Sequence, residues 1–554
     1  MPLSTLDLDE FPVVVAIDFG TTFSPKQLMY YAKTPTVSLY KKTNNKYKME
    51  SWGCDSKLKK GRSGSECFLL YKYKTQLDES ADLPPWSSPI SVPDAISDFL
   101  RALHEYVAGK IEQELGKRFT RDSFRYCLTV PAMWSDKAKD TMRQAAIRAG
   151  LVKTSDHMDR LMLVTEPEAA ALYCERSCKE YDLKHGDRFL ICDAGGGTVD
   201  LIVYDISETA KGRSLSEVTK GHGASCGSML IDQNFGKLLA QKFTEQGASV
   251  RNDDDVISNL VEKFAFALKP QFNGVDDLYL ELPWNSFFED IEFPDAIGID
   301  EDVMRFTAVE LKKLVFDPVV EQVLELIQGQ LDKAKDCSAI FMVGGFGSST
   351  YLLERVMQEF GNSIKTISAP NRPEIAVVFG AVYAALSPGK VTARATRRCY
   401  GVEVNRNFEV GVDPTELMVR RVDGVKCRDR FSTIVKKGTV VKVDECIDGA
   451  YYFTHQGGIP TGDMQVSIYS IDGDPPRYVT KLSPSAHILI PNPFTTSDPP
   501  GREVHFIVKF YFGLSEIRAE TTIKGNVYST RLKFDAVELD DSSNQSLFQK
   551  DREY

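Results

Sequence analysis

Arg188-Phe189-Leu190-Ile191-Cys192-Asp193-Ala194-Gly195-Gly196-Gly197-Thr198-Val199-Asp200 is the stretch that decides the fold. An apolar run ends in a carboxylate, three glycines and a hydroxyl follow, and a second β-rich run, Val199 to Tyr204, leads away. That pattern predicts a buried strand, a tight turn and a returning strand. A fainter copy lies near the start, where Val13 to Ile17 stops at Asp18-Phe19-Gly20-Thr21-Thr22. Two such hairpins predict two related lobes facing one another across a cleft, with both tips aimed at a common ligand.

The surrounding sequence supplies the cover for these strands. Pro93 to Leu115 and Asp136 to Ala149 carry apolar residues at helical spacing, and Tyr126 to Val130 between them reads as a strand ending at Pro131. A third apolar strand, Ala339 to Val343, runs into Gly344-Gly345-Phe346-Gly347-Ser348-Ser349 and a helix from Thr350 to Phe360. Thr307-Ala308-Val309-Glu310 matches a capping box and opens a helix through Lys335, bent at Pro318. Asp253 to Asp302 is acidic and predicts an irregular solvated insert, with a cation site as the competing reading. Beyond about residue 388, strand-like runs dominate: Thr439 to Val443, Tyr451 to Thr454, Met464 to Ile471, His487 to Ile490, Val504 to Phe512 and Tyr528 to Phe534. They predict a β-sandwich with its own core, followed by a polar tail from Asp535.

Composition narrows the function classes. A chain of 554 residues with 42% hydrophobic and 26% charged residues is neither disordered nor a disulfide scaffold. Its net charge of −11, with no dense Lys/Arg run, gives no support to nucleic-acid binding. The eleven cysteines are scattered without any Cys-x-x-Cys; the nearest pair is Cys174 and Cys178. Neither a zinc knuckle nor an oxidised framework is expected. The acidic start lacks a signal-peptide pattern, and no apolar run approaches the roughly 20 residues of a membrane helix. The expected location is therefore the cytoplasm, or the nucleus.

A nucleotide triphosphate held with a divalent cation needs close backbone N–H groups, hence glycine, and carboxylates facing a hydrated metal from strand ends. Asp18 and Asp193 occupy such ends, Gly195, Gly196 and Gly197 can bring three amides to the phosphates, and Thr21, Thr22 and Thr198 offer hydroxyls. The Gly344-Gly345 turn would pack against base and ribose. No Gly-x-x-x-x-Gly-Lys-Ser/Thr sequence occurs, so a P-loop is excluded.

Taken in order, Asp18 to Thr22, Thr129-Val130-Pro131-Ala132, Thr165-Glu166-Pro167-Glu168-Ala169-Ala170, Asp193 to Asp200 and Val343-Gly344-Gly345 resemble the successive ATPase motifs of the 70-kDa heat-shock chaperones, in the actin-like ATPase superfamily. Thr129 to Asp136 and Pro373 to Ala381 resemble the two helices connecting the lobes, and Met142 to Ala145 and Gly227-Ser228 also fall in order. The resemblance covers about residues 11–388, with an insert near 236–306, and the divergence of the rest points to the 12A/12B-like branch. It implies an α/β fold: a two-lobed actin-like (ribonuclease H-like) ATPase domain followed by a mostly β C-terminal domain.

The cofactors implied are ATP or ADP with Mg2+. Asp18 and Asp193 would hold the metal through water, Glu166 and Asp200 would orient the attacking water and metal shell, and Thr198 would meet the γ-phosphate. Gly20, Thr21, Thr22, Gly195, Gly196, Gly197, Gly227, Lys269, Gly344 and Gly345 would contact the nucleotide. Lys72 or Lys74 lies near the position of the family's catalytic lysine, and Lys74 is expected to fill it. Three departures stand out. Pro25-Lys26-Gln27 interrupts the first hairpin, predicting distortion. Phe266 and Pro270 replace polar residues of the adenosine helix, in which Lys269 and Asn273 match contacts. Ser387 to Tyr400 is basic and polar where the family has an apolar linker, so coupling of nucleotide state to client capture is not expected.

Residues 391–534 resemble the family's substrate-binding sandwich without its helical lid, implying protein or peptide clients. The expectation is an ATP-binding, slowly hydrolysing, chaperone-like stress protein. The alternative is a nucleotide-binding scaffold or sensor with negligible turnover. A sugar or acetate kinase of the same superfamily is disfavoured by the β-sandwich.

Overall fold

The computed structural model describes residues 11–20, 23–28, 31–60, 66–78, 85–176, 180–209, 212–245, 255–282, 294–443, 445–459, 462–512 and 517–531. They pack into two units. The first comprises the described residues up to 397 together with 438–446 and Phe512; the second comprises 398–437, 447–511 and 517–531.

Within the first unit, one lobe is built on a parallel sheet of Val13–Ile17, Phe124–Val130 and Leu161–Thr165. Parallel strands are buried on both faces, so these runs are nearly continuously apolar. The helix Val92–Leu115 starts where the Ser91 hydroxyl accepts from the Asp94 amide (3.3 Å). Ser135 does the same for Asp136–Arg148, accepting from the Ala138 amide (3.2 Å). Both satisfy amides that a helix start leaves without partners. Phe99, Leu100, Leu103, Tyr126, Leu128 and Met142 close the core beneath them. A separate antiparallel sheet, Lys46–Trp52, Val37–Thr43 and Cys67–Tyr71, extends the lobe.

The second lobe carries an eight-stranded mixed sheet. Its order is Thr366–Ser368, Cys337–Val343, Arg188–Ala194, Val199–Thr209, Gly212–Glu217, Val391–Ala395 and Val440–Lys442, with His222–Ala224 beside Val199–Thr209. Between the lobes, Ala376–Leu386 crosses Glu166–Glu175 at Gly380, where a Cβ would lie 1.7 Å from the Ala169 carbonyl oxygen. Only glycine lets the two helices approach this closely.

Several expectations change in detail. Thr439 to Val443, read as a sandwich strand, forms Val440–Lys442 and pairs with Val391–Ala395 in the first unit's sheet. The acidic segment is not irregular where it is described. Asp255–Lys263 is helical and continues through a π-turn, Phe264–Leu268, and the strands Leu278–Glu281, Ile299–Asp300 and Val303–Phe306 form a small sheet. Its charges lie outside, while Ile257, Leu260, Phe264 and Phe272 enter the lobe core. The helix opened by Thr307 carries a π-turn at Lys312–Phe316, just before Pro318. Only half of the capping box forms: the Thr307 hydroxyl accepts from the Glu310 amide (3.2 Å), while the Glu310 carboxylate pairs with Lys242 (2.7 Å). The hairpin interrupted by Pro25 still pairs Phe23–Leu28 with Tyr31–Pro35, with a register shift between Pro25 and Leu28. Proline supplies no amide to the ladder, and the shift falls directly after it.

The second unit contains two antiparallel sheets. One has the order Met418–Arg421, Gly424–Val435, Cys399–Asn407, Met464–Ile471, Ala486–Ile490; the other runs Cys446–Thr454, Glu503–Tyr511, Arg518–Ile523, Asn526–Arg531. Val504, Phe506, Val508 and Phe510 point inward from Glu503–Tyr511, and Ile507 is largely exposed on the other face. Among the described residues no helix is long and apolar enough to cross a membrane.

Candidate functional site

A cleft of about 600 Å³ lies between the lobes of the first unit and is lined by Asp18, Gly20, Lys74, Glu166, Asp193, Gly195, Gly196, Gly197, Thr198, Lys269, Gly344 and Gly345, among others. Thr21 and Thr22 lie outside the described residues.

The glycine turn is oriented by its carbonyls. Gly195 N–H donates to the Thr198 carbonyl (2.9 Å) and closes the turn. The amides of Gly227, Ser228 and Met229 donate to the carbonyls of Gly197, Gly195 and Gly196 (3.1, 3.1 and 2.9 Å). In a trans peptide the N–H points opposite to the C=O, so the amides of Gly196, Gly197 and Thr198 face away from that support, into the cleft their residues line. Three successive amides aimed into a cleft make an anion nest. Gly227 itself does not line the cleft. A Cβ there would sit 2.4 Å from the Gly196 oxygen, so only glycine lets the chain support the turn this closely from behind.

Carboxylates crowd beneath this nest. Asp193 and Asp200 stand directly opposite on paired antiparallel strands, an arrangement that opposes two negative charges. Asp18 ends its strand across the cleft and accepts from the Thr129 hydroxyl (2.8 Å). Glu166 opens its helix, and Lys74 donates to its Oε1 at 2.6 Å. Lys74 is 2% exposed, beneath the rings of Trp134 and Phe19 (5.4 and 6.0 Å). The strained left-handed conformation of Lys72 (φ 59°) starts the tight turn Tyr73–Leu77 that carries Lys74 inward to Glu166, while Lys72 also lines the cleft.

The electrostatics follow from burial. The Asp193 carboxyl is pushed well above the usual carboxylate range by burial first and then by Glu166, Asp200 and Asp18, with Lys33 opposing. Asp200 is pushed up to about 7 by burial and Glu166, against the Thr198 hydroxyl and Lys74. Burial also raises Glu166, against the pull of Lys74. Both Asp200 oxygens are buried without a hydrogen bond of full geometry, although the Thr198 hydroxyl lies close enough to favour the charged form.

Surplus buried negative charge of this kind fits a divalent cation. Among the described residues no three carboxylate, histidine or cysteine groups converge enough to clasp a metal directly, so these donors suit a hydrated ion rather than a dedicated cage.

Gly344 has φ +84°, and a Cβ on it would lie 2.4 Å from the Ala194 oxygen and 2.6 Å from Asp193 Oδ1. The turn can reach the Asp193 carboxylate only as glycine. Lys269 pairs with Asp232 (2.7 Å) and approaches the Ser228 carbonyl (3.4 Å). Asn273 is elsewhere: its Oδ1 caps the amides of Val275 and Asp276 (2.9 and 3.0 Å) in a turn. The sequence had pointed to neither Lys33 nor Asp232. Lys33 reaches the cleft from the strand opposite Pro25, and Asp232 is recognisable only once its helix faces Lys269.

A family model described as Hsp70 protein matches residues 95–395. Human heat shock 70 kDa protein 12A is 23% identical over an alignment of 614 positions covering 92% of this chain and 89% of that protein. Mouse heat shock 70 kDa protein 12A is 24% identical, with the same coverage, and human heat shock 70 kDa protein 12B is 23% identical, covering 95% of this chain and 91% of that protein. With a two-lobed actin-like ATPase fold, a glycine-turn nest and a family match across more than half its length, the chain belongs to the Hsp70 family of nucleotide-binding proteins.

Proposed function

We propose that the interlobe cleft binds ATP with Mg2+ and hydrolyses it slowly, and that the second unit engages protein clients. The observation that carries this reading is the Lys74–Glu166 pair set beside the opposed Asp193 and Asp200 beneath the glycine turn.

Each residue has a task set by its geometry. The amides of Gly196, Gly197 and Thr198 hold phosphate oxygens, with the Thr198 hydroxyl beside them. Asp18, fixed by Thr129, and Asp193 hold the hydration shell of the cation, which supplies charge neutralisation at the phosphates. Glu166, whose Oε1 is taken by Lys74, orients the attacking water through its other oxygen, and Asp200 receives a proton at a carboxyl already tuned to about 7. Positioning and charge carry such a reaction without a covalent step. Phe266 and Pro270 line the same cleft, so an apolar wall rather than a polar one meets the nucleoside.

A second pocket, about 490 Å³, opens in the β-sandwich and supports client binding. A reducing compartment, the cytoplasm or nucleus, suits a chain whose described cysteines are all unpaired.

Steady-state phosphate release tests the proposal. Wild type should turn over slowly and Glu166→Gln should abolish the signal while nucleotide still binds. A chain that binds nucleotide but whose release rate is unmoved by Glu166→Gln is instead a scaffold or sensor.

A further inference from the structure

Resting on the reading that the sandwich pocket takes extended client segments, we infer that this pocket selects acidic ones: an apolar or aromatic side chain flanked by carboxylates.

The floor is apolar. Val402, Val466 and Phe506 are buried at its base, Phe453 stacks on Phe506 with ring centroids 4.5 Å apart, and the Tyr451 ring lies 6.0 Å from Phe506. Such a floor holds one or two apolar side chains. Cys446–Thr454 is the outermost strand of its sheet among the described residues, and an outermost strand offers unpaired N–H and C=O groups along which an extended backbone can lie.

Charge on the walls gives the selectivity. Five ionisable side chains of opposite sign line the pocket: Arg406, Arg421 and Lys426 against Glu403 and Asp423. Lys426 is buried and already committed, to Asp423 at 3.0 Å and to the Asn407 side-chain oxygen at 2.8 Å. Glu403 accepts the Tyr469 hydroxyl at 3.1 Å. Arg406 is exposed and donates to the Ser432 hydroxyl (3.3 Å), and Arg421 is exposed on Met418–Arg421, two strands away across Gly424–Val435; neither is ion-paired among the described residues. The walls therefore present two guanidinium groups with no carboxylate of their own against one carboxylate, Glu403, with no cation of its own, a net positive rim above an aromatic floor. A guanidinium offers a planar fork that matches a carboxylate.

The experiment uses the full chain and three fluorescein-labelled nine-residue peptides with one shared aromatic and leucine centre, flanked by aspartates, serines or lysines. Anisotropy titrations at low salt should rank aspartate first, serine second and lysine last, with about fivefold between the first two, the size expected of two exposed ion pairs. The spread should shrink at 0.5 M salt through screening, on the scale of a ~4 Å Debye length. The double variant Arg406→Glu, Arg421→Glu should reverse the order; both side chains are exposed, and an unchanged melting temperature confirms its fold. Equal affinity for all three peptides overturns the charge selectivity and leaves client binding standing. Failure of all three to bind overturns the client reading itself.

Discussion

Lys74 and Glu166 stand 92 positions apart in the chain, yet the lysine ammonium donates to the glutamate at 2.6 Å in a setting where both groups are buried. The pair joins the turn Tyr73–Leu77 to the start of the helix Glu166–Glu175. Either charge alone is costly there, since removing one partner of a buried pair leaves the other uncompensated.

Lys74→Met should therefore destabilise the chain by about 3 kcal/mol and abolish turnover. The double variant Lys74→Met, Glu166→Gln should recover most of the stability and none of the activity. Thermal melts and phosphate release, read together as a double-mutant cycle, check both halves; additive stability losses would contradict a coupled pair.

The opposed aspartates set a pH dependence. The carboxyls of Asp193 and Asp200 are raised above their unfolded values, so the stability they contribute is present below about pH 4 and is lost as pH rises through the folded value, about 7 for Asp200. The ligand-free chain should melt at a lower temperature at pH 8 than at pH 6. Binding of Mg2+ and nucleotide, which favours ionised carboxylates, should tighten over the same interval and release protons. Calorimetry in two buffers of different ionisation enthalpy reads the released protons directly, and Asp200→Asn should reduce them.

Two adjacent glycines should behave differently. Gly344→Ala combines a positive φ with a Cβ 2.6 Å from Asp193 Oδ1, and should cost roughly 2 kcal/mol and displace the carboxylate. Nothing lies within 4 Å of a Cβ at Gly345, so Gly345→Ala should leave the stability within about 0.5 kcal/mol of wild type. Equal effects at the two sites would contradict the packing described.

At the cleft mouth Lys57 of one lobe pairs with Glu262 of the other, and its ammonium lies 5.3 Å from the Phe266 ring. Both side chains are partly exposed, so the pair is worth less than about 1 kcal/mol. Glu262→Ala should speed release of a fluorescent adenine nucleotide by up to about fivefold in stopped flow, and wild type at high salt should approach the variant.

How far the sequence foretells the molecule differs from place to place, for physical reasons. Asp193 to Thr198 is legible because a strand, a turn and a hydroxyl are all local features, and the structure keeps every one of them at the cleft. Gly227 illustrates the limit: its spacing is visible in the sequence, but its close packing against the backbone of Gly196 is a tertiary contact that no local pattern encodes. The segment around Ile257, Leu260 and Phe264 was obscured by neighbouring charges that face outward while its apolar stripe faces the core. The β-strand character of Val440–Lys442 was legible, but the sheet it joins is set by its pairing with Val391–Ala395, which no local pattern encodes. Lys33 and Asp232 come to the cleft beside residues far away in sequence, so no motif announces them.

Isothermal titration of MgATP into the full chain tests the central claim most directly. The account predicts saturable binding by wild type and its loss in Gly196→Val, whose side chain fills the nest of Gly196, Gly197 and Thr198. Absence of binding by wild type, or undiminished binding by a folded Gly196→Val, would contradict it.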